Sequence, residues 1–247
     1  LLILVAGLLL MGGAARADPD ALWKIVHGQC VPDQMEKANP APCAEVDLSG
    51  GFAVLKDIHG ATQYLLIPTT RIGGIESPEI LAPAAPNFWD AAWRARHFVE
   101  ERAGRPIPRD DLGLAVNSPY GRSQNQLHIH IDCVLPAVRD ALRANEARIG
   151  PAWADLDTEI VGHHYRAMRL AGDDLGARDP FRILADGDPA ARADMARETL
   201  AVIGAVFKDG ANGFVLLSSR ADPMRMEMAS SETLLDHDCA ILKQAGP

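Results

Sequence analysis

SQNQLHIHID, residues 123–132, has the alternation of a strand with one apolar and one polar side. Successive side chains of an extended chain point to opposite faces, so Leu127, Ile129 and Ile131 share one side while Gln126, His128, His130 and Asp132 share the other. The apolar side needs a core beneath it. The polar side is a row of groups about 6.5 Å apart, two of them imidazoles, and it reads as a site. Cys133 falls on the apolar side and is not read as a nucleophile. A His-x-His pair on a strand suits two chemistries: two ligands for zinc, with a third from His163, His164 or His237, or a wall facing an anion. The turn just upstream favours the anion. Asn117, Gly121, Arg122 and Ser123 bring an amide, an open backbone, a guanidinium and a hydroxyl, all suited to phosphate oxygens, although taken alone these are also ordinary turn residues.

Outward from this stretch, PRDDLGLAVNSPYGRSQNQLHIHIDCVLP reads as strand, turn and strand, with Asn117 to Gly121 as the turn and Pro136 ending the second strand. Upstream, GFAVLKD and QYLLIPTT form a predicted hairpin around His59-Gly60. ALWKIVHGQC reads as a short helix with Leu22, Ile25 and Val26 on one side. Asn87 is placed to cap a helix whose stripe runs Phe88, Ala92, Ala95 and Val99, widened by Trp89 and Trp93 as core residues. Downstream the pattern predicts a charged helix near Arg139 to Ile149 and a looser middle holding His163 and His164. It then predicts a helix near Ala191 to Phe207, a strand over GFVLLSS, and a terminal helix with Leu235, Cys239 and Leu242 on one face. His237, between Asp236 and Asp238, falls on the solvated face of that last helix. Strands and helices mix without regular alternation, which predicts an α+β domain, an antiparallel sheet with flanking helices.

The net charge of −9 opposes nonspecific binding to nucleic acid, so any phosphate site must be local. Residues 1–17, an apolar run ending in Ala15-Arg16-Ala17, read as a signal peptide or an N-terminal membrane anchor ahead of one domain over 18–247. Either reading puts the body outside the cytosol, where the four cysteines would form disulfides. Cys30 and Cys43 flank the turn-rich VPDQMEKANPAP, a loop whose closure is worth roughly 3 kcal/mol, which leaves Cys133 to pair with Cys239.

GRSQNQLHIHI resembles the signature of the histidine-triad superfamily of nucleotide hydrolases and transferases. More of the chain resembles one branch of it, the CDP-diacylglycerol pyrophosphatase family, through CAEVDLSGGFAVLKDIHGATQYLLIPTTRIGGIESPEI, PNFWDAAWRARHFV, LAVNSPYGRSQNQLHIHIDCVLPAVRD, GFVLLSSR and DHDC. The resemblance implies a histidine-triad-like fold and a hydrolase splitting CDP-diacylglycerol into CMP and phosphatidate, with no metal and no cofactor. It implies that His128 attacks the nucleotide α-phosphate and that His130 helps bind the transferring phosphoryl group and its departing oxygen. Gln126 departs from the pattern, standing where the first triad histidine would be. The expected partners are the lipid nucleotide and a membrane surface, on the periplasmic side of the bacterial inner membrane, with oligomeric state left open. His163, reaching the site from a loop, and His237, in the family-like DHDC, are further candidate site residues. Two alternatives stand beside this reading: a hydrolase or nucleotidyl transferase for soluble nucleotide diphosphates, and a His-x-His metal-binding module.

Overall fold

Among the described residues, ten strands form one antiparallel sheet: β1 Glu45–Asp47, β2 Phe52–Lys56, β3 Tyr64–Pro68, β4 Leu112–Val116, β5 Ile129–Val134, β6 Ala154–Asp155, β7 Arg166–Ala171, β8 Glu198–Val206, β9 Asn212–Arg220 and β10 Leu235–Asp236. These come from a computed structural model that describes residues 18–244, so the leader expected over 1–17 lies outside the described residues. The order across the sheet is β1-β2-β3-β5-β4-β8-β9-β7-β6. β5 is the pivot. One edge pairs with β4 from His130 to Cys133. The other edge is shared: β3 pairs with Ile129 to Ile131 and β10 with Cys133 and Val134. The end of the chain is thereby laid against the strand that carries the histidines.

The helices are α1 Ala21–Ile25, α2 Val31–Lys37, α3 Phe88–Ala95, α4 His97–Ala103, α5 Pro136–Asn145, α6 Pro180–Gly187, α7 Pro189–Ala193 and α8 Ile241–Gln244. Strand alternation sorts the apolar residues onto two faces. Val54, Leu66, Leu114, Ile129 and Ile131 meet α3 in the main core. Ala53, Leu55, Leu65 and Ile67 meet Leu22, Val26 and Cys30 in a second one. Phe52 to Leu55 is apolar throughout because both faces of that stretch are covered. As expected, Asn87 caps α3 by accepting from the Asp90 amide, 3.2 Å. Trp89 and Trp93 are buried, edge-on to Phe181 and Phe214. Both disulfides, Cys30–Cys43 and Cys133–Cys239, pair as the sequence predicts.

Four expectations are corrected. Residues 198–206 are a strand, β8, in place of the predicted helix. It lies between β4 and β9, and an apolar run buried on both faces carries no period to separate helix from strand. Its β-branched Thr199, Val202 and Ile203 were the better signal. A side chain at Gly204 would collide with the Arg109 carbonyl and come within 2.8 Å of Trp93. The predicted C-terminal helix starts only at Ile241. Before it, β10 is followed by a turn in which Asp236 accepts from the Ala240 and Asp238 amides and Cys239 takes a left-handed φ of 46°. The loop between Cys30 and Cys43 holds α2, with Pro32 in its first turn, where proline is tolerated. The stripe from Phe88 to Val99 is split by a break at Arg96.

Candidate active site

His128 directly precedes β5 and His130 lies within it, and their rings meet edge-on with centroids 4.8 Å apart. The strand begins later than the alternation predicts because residues 126 and 127 are tied to the loop after β3. The Leu127 amide donates to the Ile72 carbonyl at 2.7 Å, and the Gln126 amide group donates to the carbonyls of Pro68 and Thr70 at 3.0 and 2.9 Å. Gln126 is therefore a buried clamp on that loop and does not line the cleft that His128 and His130 line. His128 Nδ1 lies 2.7 Å from the Gln126 carbonyl, which can only accept, so the proton is assigned to Nδ1 and the lone pair to Nε2. Burial, reinforced by the neighbouring His130, pushes the His128 pKa down to about 4. Burial likewise brings His130 down to about 3. Both rings are neutral at pH 7. The two nitrogens of His130 are buried without a hydrogen bond; the closest charge is Glu232 Oε1, 3.4 Å from Nδ1.

A third histidine reaches the cleft from the far end of the chain. His237 Nδ1 lies 3.0 Å from Asp132 Oδ2, and Nε2 lies 3.6 Å from Glu232 Oε1. Its backbone is fixed too. The Ala61 and Thr62 amides donate to the His237 carbonyl, and the Thr62 hydroxyl, 3.0 Å from that carbonyl, donates to Asp132 Oδ1 at 2.7 Å. Gly60, at φ 64°, packs where any side chain would run into His237. The hydrogen bond to Asp132 holds the His237 pKa above the ordinary imidazole value, outweighing its partial burial. Burial raises the Asp132 carboxyl in turn, against the donors that surround it. The reading of His237 as a solvated helix residue is corrected. No helix forms there, and the Cys133–Cys239 bond brackets the pair by joining the residue after Asp132 to a residue two beyond His237.

The four turn residues do line the cleft, but most of their donors are already engaged. Asn117 accepts from the Glu232 amide and Ser230 hydroxyl and donates to Glu232 Oε2 at 2.9 Å, so its task is to aim that carboxylate. The Arg122 guanidinium makes two 2.6 Å bonds to Glu76. The Gly121 amide closes its own turn on the Ser118 carbonyl. Ser123 is exposed at the cleft wall. His163 is placed elsewhere: its Nδ1 is 2.6 Å from Glu227, and it does not line the cleft.

The sequence profile of the CDP-diacylglycerol pyrophosphatase family matches residues 17–243. The chain belongs to that family. A Yersinia pestis protein described as CDP-diacylglycerol pyrophosphatase is 45% identical over 242 residues, which span 98% of this chain and 92% of that protein. The match runs through every element that builds the cleft, from α1 to the turn bearing His237.

Within this pyrophosphatase family member the cleft holds about 480 Å³ and has two characters. His128, His130, His237, Glu232, Lys56, Asp57 and His59 line the polar part, while Leu22 and Ile25 of α1 meet Leu55 and Leu65 of the sheet in an apolar part. Glu232, Lys56 and Asp57 were not found from the sequence. Lys56 Nζ donates to the carbonyls of Asp57 and Gly60. Burial raises the Asp57 carboxyl, but the His59 amide and the Gln63 side chain more than offset it and hold its pKa below the usual value. Only Glu232 had a possible signal, since it lies five residues before the His237 of the family-like DHDC.

Proposed function

We propose that the chain hydrolyses the diphosphate of CDP-diacylglycerol to CMP and phosphatidate in two displacements, with His128 as nucleophile and His237 as proton carrier. The observation that carries this reading is the Nδ1 bond of His128 to the Gln126 carbonyl, which leaves a neutral Nε2 lone pair on the cleft side next to His130. His128 Nε2 attacks the cytidine-side phosphorus. An N–P bond forms and the bridging P–O bond breaks, its electron pair leaving with phosphatidate. The proton on His237 Nε2 passes to that oxygen. Water then attacks the nucleotidyl-histidine, neutral His237 takes a proton from it, the N–P bond breaks, and CMP leaves with His128 again neutral. His130, Lys56 and the turn around Ser123 hold the charge that develops on the phosphoryl oxygens.

Two histidines flanking an isoleucine on an antiparallel strand support a likeness to histidine-triad proteins. His237 supplies a third imidazole where Gln126 fills the first position of the motif. The apolar cleft wall of Leu22, Ile25, Leu55 and Leu65 favours a lipid-linked nucleotide over a soluble one. Two disulfides support export, with the body on the periplasmic side of the inner membrane. The metal-module alternative gains little from the geometry: His163 and His164 pair with Glu227 and Glu159, and His237 Nδ1 faces Asp132.

The test is a rapid quench with substrate labelled at the cytidine-side phosphate, in buffer containing EDTA. Wild-type protein should accumulate an acid-labile, base-stable nucleotidyl adduct, and His128→Ala should lose the adduct and several orders of magnitude of turnover. Near-normal turnover by His128→Ala, or activity abolished by chelation and restored by zinc, would overturn the mechanism.

A further inference from the structure

We infer that the turn from Asp222 to Met228 docks the protein on the lipid bilayer that holds its substrate, so that the cleft fills from the membrane. The inference rests on the CDP-diacylglycerol reading above.

The turn is a rigid projection with apolar side chains at alternate positions. Asp222 and Glu227 close it with two backbone bonds of 2.9 and 3.0 Å, and Asp222 Oδ1 accepts from the Met224 amide. Within that closure Met224 is 93% exposed and Met226 86%, and just beyond it Met228 is 47% exposed. Single exposed apolar residues are ordinary on any surface, but three on one pinned turn make a local apolar tip. Methionine, unbranched and adaptable, suits an irregular lipid environment.

The tip is attached to the wall of the cleft. The Ser118 hydroxyl donates to the Met228 carbonyl at 2.6 Å and the Ser118 amide to the Ala229 carbonyl at 3.0 Å. Ser118 opens the turn that continues through half-exposed Tyr120 to Gly121, Arg122 and Ser123 in the cleft wall. From the β2–β3 turn, Ile58 also lines the cleft and is 91% exposed. The apolar sequence 1–17 joins the described chain three residues before cleft-lining Ala21. Two described segments thus carry exposed apolar residues, one in the cleft wall and one on a turn bonded to it.

Cleft size and charge then identify the occupant. A volume of about 480 Å³ is that of an ordinary small-ligand pocket and suits the nucleotide diphosphate. Acyl chains that fill a leaflet about 15 Å deep cannot be housed with it, so they stay in the bilayer and the opening must meet them there. With a net charge of −9 the protein gains nothing from long-range attraction to anionic lipid. Docking is therefore by apolar insertion, as for interfacial segments generally, and should tolerate salt.

The experiment uses the full chain and vesicles of phosphatidylcholine containing CDP-diacylglycerol. Met224→Ser combined with Met226→Asn should raise the KM on vesicles at least tenfold, with kcat and KM on a water-soluble CDP-alcohol unchanged. Independently, Met224→Trp should add fluorescence that blue-shifts with vesicles and is quenched by brominated phospholipid, equally at low and high salt. An unchanged vesicle KM, equal losses on both substrates, or an added tryptophan signal blind to brominated lipid would overturn the inference. Failure of wild-type protein to cleave CDP-diacylglycerol would instead refute the functional reading beneath it.

Discussion

His237→Gln isolates proton transfer from the rest of the site. A glutamine amide can still donate to Asp132, so the buried carboxylate keeps a partner and the turn keeps its shape, but the side chain can neither give nor accept a proton near neutral pH. A positioned acid or base contributes roughly 10²- to 10⁴-fold, which is about 3 to 5 kcal/mol of barrier. Single-turnover formation of the nucleotidyl enzyme should fall by that factor on CDP-diacylglycerol. On the 2,4-dinitrophenyl ester of CMP, whose phenolate departs without a proton, the burst should stay within about tenfold of wild type. The second displacement should then stall, because the base for water is gone. Asp132→Asn gives a companion result. The hydrogen bond to Asp132 is what holds the His237 pKa up, so the alkaline limb of the kcat profile should move to lower pH. Equal losses on both substrates, or no loss on CDP-diacylglycerol, would refute the assignment of proton transfer to His237.

Buried His128 and His130 titrate below their unfolded value of about 6.5, so the unfolded chain binds more protons between that pH and about 3. Stability should therefore fall as pH drops through this window, by on the order of 2 to 3 kcal/mol per ring by pH 4.5, and urea unfolding of wild type against His128→Asn measures it. Gln126→His should leave turnover within about tenfold, since the carbonyl that orients His128 is main chain. It should cost about 1 to 3 kcal/mol of stability, because imidazole cannot serve both the Pro68 and Thr70 carbonyls; thermal melts alongside kinetics check both parts. Replacing Cys133 and Cys239 by alanine opens a loop of 106 residues, worth about 4.7 kcal/mol in the chain-entropy model against about 3 for the Cys30–Cys43 loop. It should also cost more activity, since it frees the segment carrying His237.

The polar face of β5 was legible because alternation is a local signal and two histidines cannot be mistaken for core. The third histidine was legible only as a candidate, and on the wrong element. Its position depends on β10 pairing with β5 across about a hundred residues, and a two-residue strand leaves no period to read. The same short elements made residues 235–242 look helical, since Leu235, Cys239 and Leu242 recur at helical spacing by coincidence of a turn. Asn117 and Arg122 were found for a chemistry that suits their donors, yet the acceptors those donors chose, Glu232 and Glu76, lie far away in sequence. Gln126 was placed on the right strand but at its frayed start, where loop carbonyls took its side chain.

The shared edge of β5 governs when this protein can first work. Residues from both ends of the chain close on that strand: α1 lines the cleft and the Asn125 amide is held by the Pro19 carbonyl, while Asp132 awaits His237. A chain still emerging from the ribosome, with residues up to about 230 released, would have His128 and His130 but neither Glu232 nor His237 beside them. Assembly of the cleft therefore waits until the segment carrying Glu232 and His237 has folded back onto β5.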